Sequence, residues 1–225
     1  MPSRETMKGP AHHALETLHA AHPNLATSAA RELLTIDVDW ALRPPPALDT
    51  PVWQPEQPYL VVDGSLTTQA NVLVRTGRHD NGALIVLGDL RCHNLMVSWG
   101  FDLVVTGSLL VEEVVITAPA DSQFVVGGDL RARLLASGTP TWVTLAHPRH
   151  QQAQHTSGYV MAPDKPSRPS TQAPLTTLLL AEVLDREEWD AMDESERANE
   201  DINDILRVDT KAAHQYLAAG RSLLR

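Results

Sequence analysis

Within residues 59–146 one phrase is written four times: Leu60-Val61-Val62-Asp63-Gly64-Ser65-Leu66, Leu84-Ile85-Val86-Leu87-Gly88-Asp89-Leu90, Leu103-Val104-Val105-Thr106-Gly107-Ser108-Leu109 and Phe124-Val125-Val126-Gly127-Gly128-Asp129-Leu130. Its glycines fall 24, 19 and 21 residues apart. A period near 20 residues marks a solenoid, in which each repeat is one coil that buries its apolar face only against its neighbours. A second apolar triplet follows each phrase: Val72-Leu73-Val74, Leu95-Met96-Val97, Val114-Val115-Ile116 and Leu134-Leu135-Ala136. These triplets begin eight, seven, seven and six residues after the glycine, and the leucine two places after each glycine supplies a third short side.

Three short sides per repeat predict a β-helix. Each triplet then pairs with its counterpart one coil away at about 4.8 Å, inward aliphatics stack into ladders, and Gly-Ser or Gly-Asp takes the corners. Leucine-rich repeats are the competing coil, but they need an Asn ladder and a helical return segment, and neither is read here. Hydrophobic residues make up 43% of the chain and aromatics only 4%, so the core must be aliphatic, which suits stacked strands. Residues 75–83 form a variable insert at a corner. Trp142-Val143-Thr144-Leu145 reads as the first strand of a fifth coil that is not completed.

The flanks read differently. In residues 11–34 Ala14, Leu15, Leu18, Ala21, Leu25, Ala29, Leu33 and Leu34 recur near the helical period, broken at Pro23. Ile36, Val38, Trp40 and Leu42 then alternate with polar or small residues as in a half-buried strand, and Pro44-Pro45-Pro46 ends it. The stretch up to Pro58 holds three further prolines and reads as an extended connector. Residues 148–174, rich in Pro, Ser, Gln and His, read as a second connector with one strand at Tyr159-Val160-Met161. Beyond it, Trp189, Met192, Ile202, Ile205, Leu206, Val208, Tyr216, Leu217 and Leu223-Leu224 mark two or three short helices.

The expected organisation is therefore a mainly β chain in four parts: a helical N-terminal flank with one strand (1–50), a β-helix repeat domain (51–147), a connector (148–174) and an acidic helical C-terminal segment (175–225). The repeat domain is a short single-stranded β-helix of about four to five coils. Helices at both flanks are expected to cap its ends, because an open coil end is an unpaired sheet edge that invites polymerisation.

A formal net charge of −10 argues against nucleic acid or an anionic membrane surface as partners and favours a basic protein. The single cysteine, Cys92, excludes an intrachain disulfide framework; residues 1–10 lack the apolar core of a secretory signal, and no apolar run approaches the roughly 20 residues of a membrane helix. A cytoplasmic protein is expected.

No catalytic, cofactor or metal constellation is assigned. His12, Glu16 and His19 would share a helical face, with His13 and His22 nearby, but no His-Glu-x-x-His order is present and a solvated face accounts for them. His147, His150 and His155 fall in the connector without a Cys or carboxylate framework. Cys92 and His93 are neighbours on a strand, so they point to opposite faces and cannot act as nucleophile and base. Asp89 and Asp129 follow corner glycines, where aligned carboxylates would bind calcium; Ser65 and Ser108 occupy the same place in alternate coils, so turn chemistry explains the position better.

The four phrases resemble the bactofilin-like, polymer-forming cytoskeletal group of β-helical proteins, over about 90 of 225 residues. That resemblance implies a β-helix and assembly through coil ends. Bactofilins carry a longer array of coils between short tails, whereas this chain has about four between substantial flanks.

A non-catalytic protein-binding module is the expected function, most concretely an immunity-type protein that neutralises a toxin or effector, as a monomer or small homo-oligomer. A polymerising scaffold is the alternative. The expected docking residues are Arg91, His93, Trp99, Glu112, Glu113, Arg131 and Arg133 on the solenoid, with Glu187, Glu188 and Asp190 in the acidic tract.

Overall fold

The computed structural model of the chain describes residues 38–76, 81–117, 124–137, 142–145, 155–156, 159–161, 166–167 and 174–225, together with Gly9, His13, Glu16 and Ala20. Those four isolated residues are helical and exposed; the remainder of the helix expected over 11–34 lies outside the described residues.

Each repeat phrase supplies one strand of a parallel sheet: β3 (Tyr59–Val62), β6 (Gly82–Val86), β9 (Phe101–Val105) and β12 (Phe124–Val126). The triplets build a second sheet from β5 (Asn71–Val74), β8 (Asn94–Val97), β11 (Val114–Thr117) and β14 (Leu134–Ser137). Between them lie the leucine strands β4 (Leu66–Thr67), β7 (Leu90–Cys92), β10 (Leu109–Val111) and β13 (Leu130–Arg131). Four coils thus carry a strand in all three sheets, and each strand pairs in parallel with its counterpart one coil away. The expected β-helix is the observed fold.

Register follows from burial. Leu60, Leu84, Leu103 and Phe124 stack on the first side, Leu66, Leu90, Leu109 and Leu130 on the third, and Val72, Leu95, Val115 and Leu135 on the second, all inside one core cluster. A fully buried Leu or Val contributes about 1.5–3 kcal/mol, and a slip of one residue would turn every one of them outward, so the ladders fix the pairing.

The corners form a second ladder. The Asp89 N–H donates to Ser65 Oγ (3.0 Å), the Ser108 N–H to Asp89 Oδ1 (2.7 Å) and the Asp129 N–H to Ser108 Oγ (3.2 Å). Ser65, Asp89 and Ser108 thus each cap the backbone of the coil above, which accounts for both residue types at this position. Glycine precedes them for two different reasons. Gly64 has φ +123°, a left-handed conformation. At Gly107 space decides, because a Cβ would lie 2.8 Å from the Gly88 carbonyl carbon and oxygen.

Both ends depart from expectation. At the start, strand β1 is Ala41–Arg43 and pairs with β3, so Ala41 faces the core and Leu42 is 44% exposed. The alternation read over Ile36 to Leu42 holds at half-buried Val38 and Trp40, with Asp39 exposed between them, and breaks at Leu42; Ile36 and Asp37 lie outside the described residues. The proline-rich stretch after it is not a free connector: β2 (Val52–Trp53) pairs with β5, Leu48 and Trp53 pack on the core, and Pro45 lies over the Gly64 corner. This incomplete coil covers the first core layer. At the other end, β15 (Trp142–Leu145) pairs with β12, β16 (His155–Thr156) with β14 and β17 (Tyr159–Met161) with β15, so the fifth coil continues past its first strand. An antiparallel partner, β18 (Pro166–Ser167), closes the first sheet.

The C-terminal segment packs on a side of the solenoid, not on its end. Leu73, Met96, Val114, Ile116, Leu134 and Ala136 point outward from all four coils of the second sheet, and Leu175, Leu179, Val183, Leu206, Leu217 and Leu223 cover them. The expectation of a C-terminal end cap is corrected by that lateral contact. Helices Leu175–Leu178 and Thr210–Ala218 and the antiparallel pair β19 (Leu184–Asp185) and β20 (Arg207–Val208) frame it. Buried Asn71 and Asn94 tie the two layers: Asn94 Nδ2 donates to Asn71 Oδ1 (3.0 Å), and Asn71 Nδ2 donates to the Leu217 carbonyl (3.0 Å). A two-rung Asn ladder is thus present.

Gly107→Ala is expected to cost about 1–3 kcal/mol in urea unfolding, as overpacking against fixed backbone does, with the signature of a folded solenoid retained. An unchanged midpoint would refute the close-approach account of this corner.

Candidate functional site

The prism has three outer faces, and they differ in chemistry. On the first sheet Val61, Ile85, Val104 and Val125 point away from the core and are still buried, at 0–2% exposure. The second lies under the C-terminal segment. The third presents Thr67, Arg91, Leu110 and Arg131 in register, with Gln69, His93, Glu112 and Arg133 along the adjoining corner. Among the described residues this is the polar lateral face.

Five of the residues singled out in the sequence, Arg91, His93, Glu112, Arg131 and Arg133, are therefore brought onto one narrow ribbon along the solenoid axis. Strand alternation puts them there: Cys92 between Arg91 and His93 turns inward and is buried. The His93 ring lies 3.0 Å from Glu112 Oε2, and Arg131 lies 3.2 Å from Asp129. Hydrogen bonding from His93, with Gln69 and the Arg91 charge as lesser contributors, holds the Glu112 carboxyl below the usual carboxylate range. Both pairs are substantially exposed, so they organise the surface and add little stability.

Glu113 departs from the exposed set. It accepts from Ser222 Oγ (2.7 Å) and from Asn94 Nδ2 (3.3 Å), so its carboxylate anchors the chain terminus to the solenoid. Trp99 is separate from the ribbon as well: it is 60% exposed at the corner after β8, beside helix Thr210–Ala218.

Glu187, Glu188 and Asp190 stand exposed on helix Glu187–Ala191, with Arg186 at 3.4 Å from Asp190. The next helix, Glu194–Arg197, opens with a capping box in which Asp193 and Glu196 satisfy each other's backbone N–H. Arg197 reaches back to the carbonyls of Trp189 (3.0 Å) and Asp190 (2.9 Å). The two helices contain no buried residue. They form an ordered carboxylate-bearing element outside both cores.

Sequence reading missed Asn71, Asn94 and Ser222. A signal existed for the first two, since each Asn directly precedes its apolar triplet. Of the histidines, His12, His19, His22, His147 and His150 lie outside the described residues, His13 is exposed, and His155 falls in β16. Among the described residues no group of three or more His, Cys, Asp or Glu is arranged to hold a metal ion, and no helix is long and apolar enough to cross a membrane.

Burial, reinforced by the Glu112 charge, pushes the Cys92 thiol far above its ordinary range. Iodoacetamide at pH 8 should therefore leave Cys92 unmodified in the native protein and label it fully in denaturant. Rapid labelling without denaturant would refute its inward placement. Comparison with protein-family models, with curated proteins and with solved structures finds no match to this chain.

Proposed function

We propose that the chain is a non-catalytic protein-binding module of the cytoplasm, most concretely an immunity-type protein that docks on a basic toxin or effector and neutralises it. The observation that carries this reading is the paired acidic helices, Glu187–Ala191 and Glu194–Arg197. They are held in shape by a capping box and by Arg197, which lies over the Trp189 ring, yet none of their residues is fully buried. Solvated surface helices are common; a pair without a fully buried residue in a chain of net charge −10 favours a charge-complementary partner. The rigid ribbon of Arg91, His93, Glu112, Arg131 and Arg133 offers a second, mixed-charge contact on the solenoid.

The alternative reading is a scaffold that polymerises through its coil ends, as the resemblance of the repeat phrases implies. The proline-rich first coil weighs against it. Pro44, Pro45 and Pro46 end β1 and Pro51 directly precedes β2, so both terminal strands of the first coil are short, and Leu48 packs on the core layer beside them.

Two measurements separate these readings. Light scattering over a hundredfold range of concentration should give one discrete mass; assemblies that lengthen with concentration would establish the scaffold. Co-expression with a toxin-type open reading frame adjacent to its gene should restore growth. The triple variant Glu187→Lys, Glu188→Lys, Asp190→Lys should weaken that complex about tenfold or more, mainly by slower association, with unchanged thermal stability. Wild-type affinity in the variant, or the absence of such a reading frame, would overturn the immunity assignment.

A further inference from the structure

Between the solenoid and helix Thr210–Ala218 runs an open groove of about 410 Å³, whose lining includes Arg75, Met96, Trp99, Thr210, Lys211 and His214. Its chemistry is opposite to that of the chain as a whole. Arg75 and Lys211, 136 residues apart in sequence, both line it, and among the described residues neither is ion-paired. Arg75 Nη1 lies 3.0 Å from His214 Nε2. A guanidinium can only donate, so Nε2 accepts and the imidazole is neutral with its proton on Nδ1. Burial and the neighbouring Arg75 charge act in the same sense, lowering the His214 pKa. His214 therefore orients the guanidinium and adds no charge.

Among the described residues no carboxylate lines the groove, so its two cations repel each other, and the arrangement becomes favourable when an anion lies between them. The acidity of the remaining chain does not forbid this, because charges beyond about 8 Å are largely screened at physiological salt. Trp99 supplies a second requirement. It is 60% exposed in the same groove, next to buried Met96, and presents a flat apolar wall within reach of the cations. The volume lies at the small end of ligand pockets, which run from about 300 to 1,000 Å³, and so suits a single nucleotide in preference to a dinucleotide or a folded peptide.

We infer that this groove binds a small molecule in which a phosphate monoester is joined to a planar ring, the chemistry of a nucleoside monophosphate. The phosphate sits between Arg75 and Lys211, and the ring stacks on Trp99. The site shares no side chain with the acidic helices, so its occupancy and the proposed protein docking stand or fall separately.

Calorimetric titration of the full chain with AMP, at about 0.15 M salt, tests the inference. AMP should bind at least about tenfold more tightly than either inorganic phosphate or adenosine, because only AMP engages both halves of the groove. Lys211→Ala should weaken AMP about tenfold with an unchanged melting temperature, since Lys211 is exposed and outside both cores. Trp99→Ala should reduce AMP to the affinity of inorganic phosphate. The inference is overturned if AMP does not bind, if it binds no better than inorganic phosphate, or if either variant binds it like the wild type.

Discussion

Everything in this molecule is arranged around the distance between two neighbouring coils, about 4.8 Å, at which a parallel backbone ladder closes. At that spacing each inward side chain rests on its counterpart above and below, so the core must be written in aliphatics of similar size at the same place in each coil. Leu66, Leu90, Leu109 and Leu130, all at 0% exposure, are the plainest case. The same spacing crowds the corners, where backbone meets backbone. A residue without a side chain is needed there, followed by one whose oxygen reaches the next coil's N–H.

Those constraints are local and repeat every coil, which is why the solenoid was legible in the sequence. A glycine followed by Ser or Asp and then Leu, at intervals near 20, admits few other structures. The lateral packing of the C-terminal segment was not legible. Its apolar residues show that it must be covered, but whether it meets an end or a side depends on which solenoid surface is apolar. That surface is defined by the residues between the inward ones, Leu73, Met96, Ile116 and Ala136. Read as triplets they looked like core throughout; in the structure alternate members belong to two different cores. The phase error at Leu42 has the same origin, since a strand of three residues is set by its partner and not by its own alternation.

The candidate surfaces divide along the same line. Arg91, His93, Glu112, Arg131 and Arg133 could be placed outward from strand alternation alone, and the structure gathers them on one ribbon. Glu113, next in sequence to Glu112, is an extra residue in its coil: the third coil takes two residues between Val111 and Val114 where the second takes one between Cys92 and Asn94. Matching the triplets at Leu95 and Val114, both seven residues after the glycine, hides that insertion; the structure pairs Leu95 with Val115 and turns the Glu113 carboxylate toward Ser222. The meeting of Arg75, Trp99, Lys211 and His214 left no trace in the sequence, because it joins a corner of the solenoid to a helix more than a hundred residues later.

The alternation of Ser65, Asp89, Ser108 and Asp129 along the corner ladder has an electrostatic consequence. Serine and aspartate cap the next coil equally well, yet an all-aspartate edge would set like charges one rung apart. Taken in water with physiological salt, repulsion at about 4.8 Å is roughly 0.5 kcal/mol per neighbouring pair, against about 0.1 kcal/mol at twice that distance. Writing serine in every second coil keeps the capping interaction from Ser65, Asp89 and Ser108 alike and spaces the carboxylates about one screening length apart. The period of the backbone is one coil; the period of its charge is two.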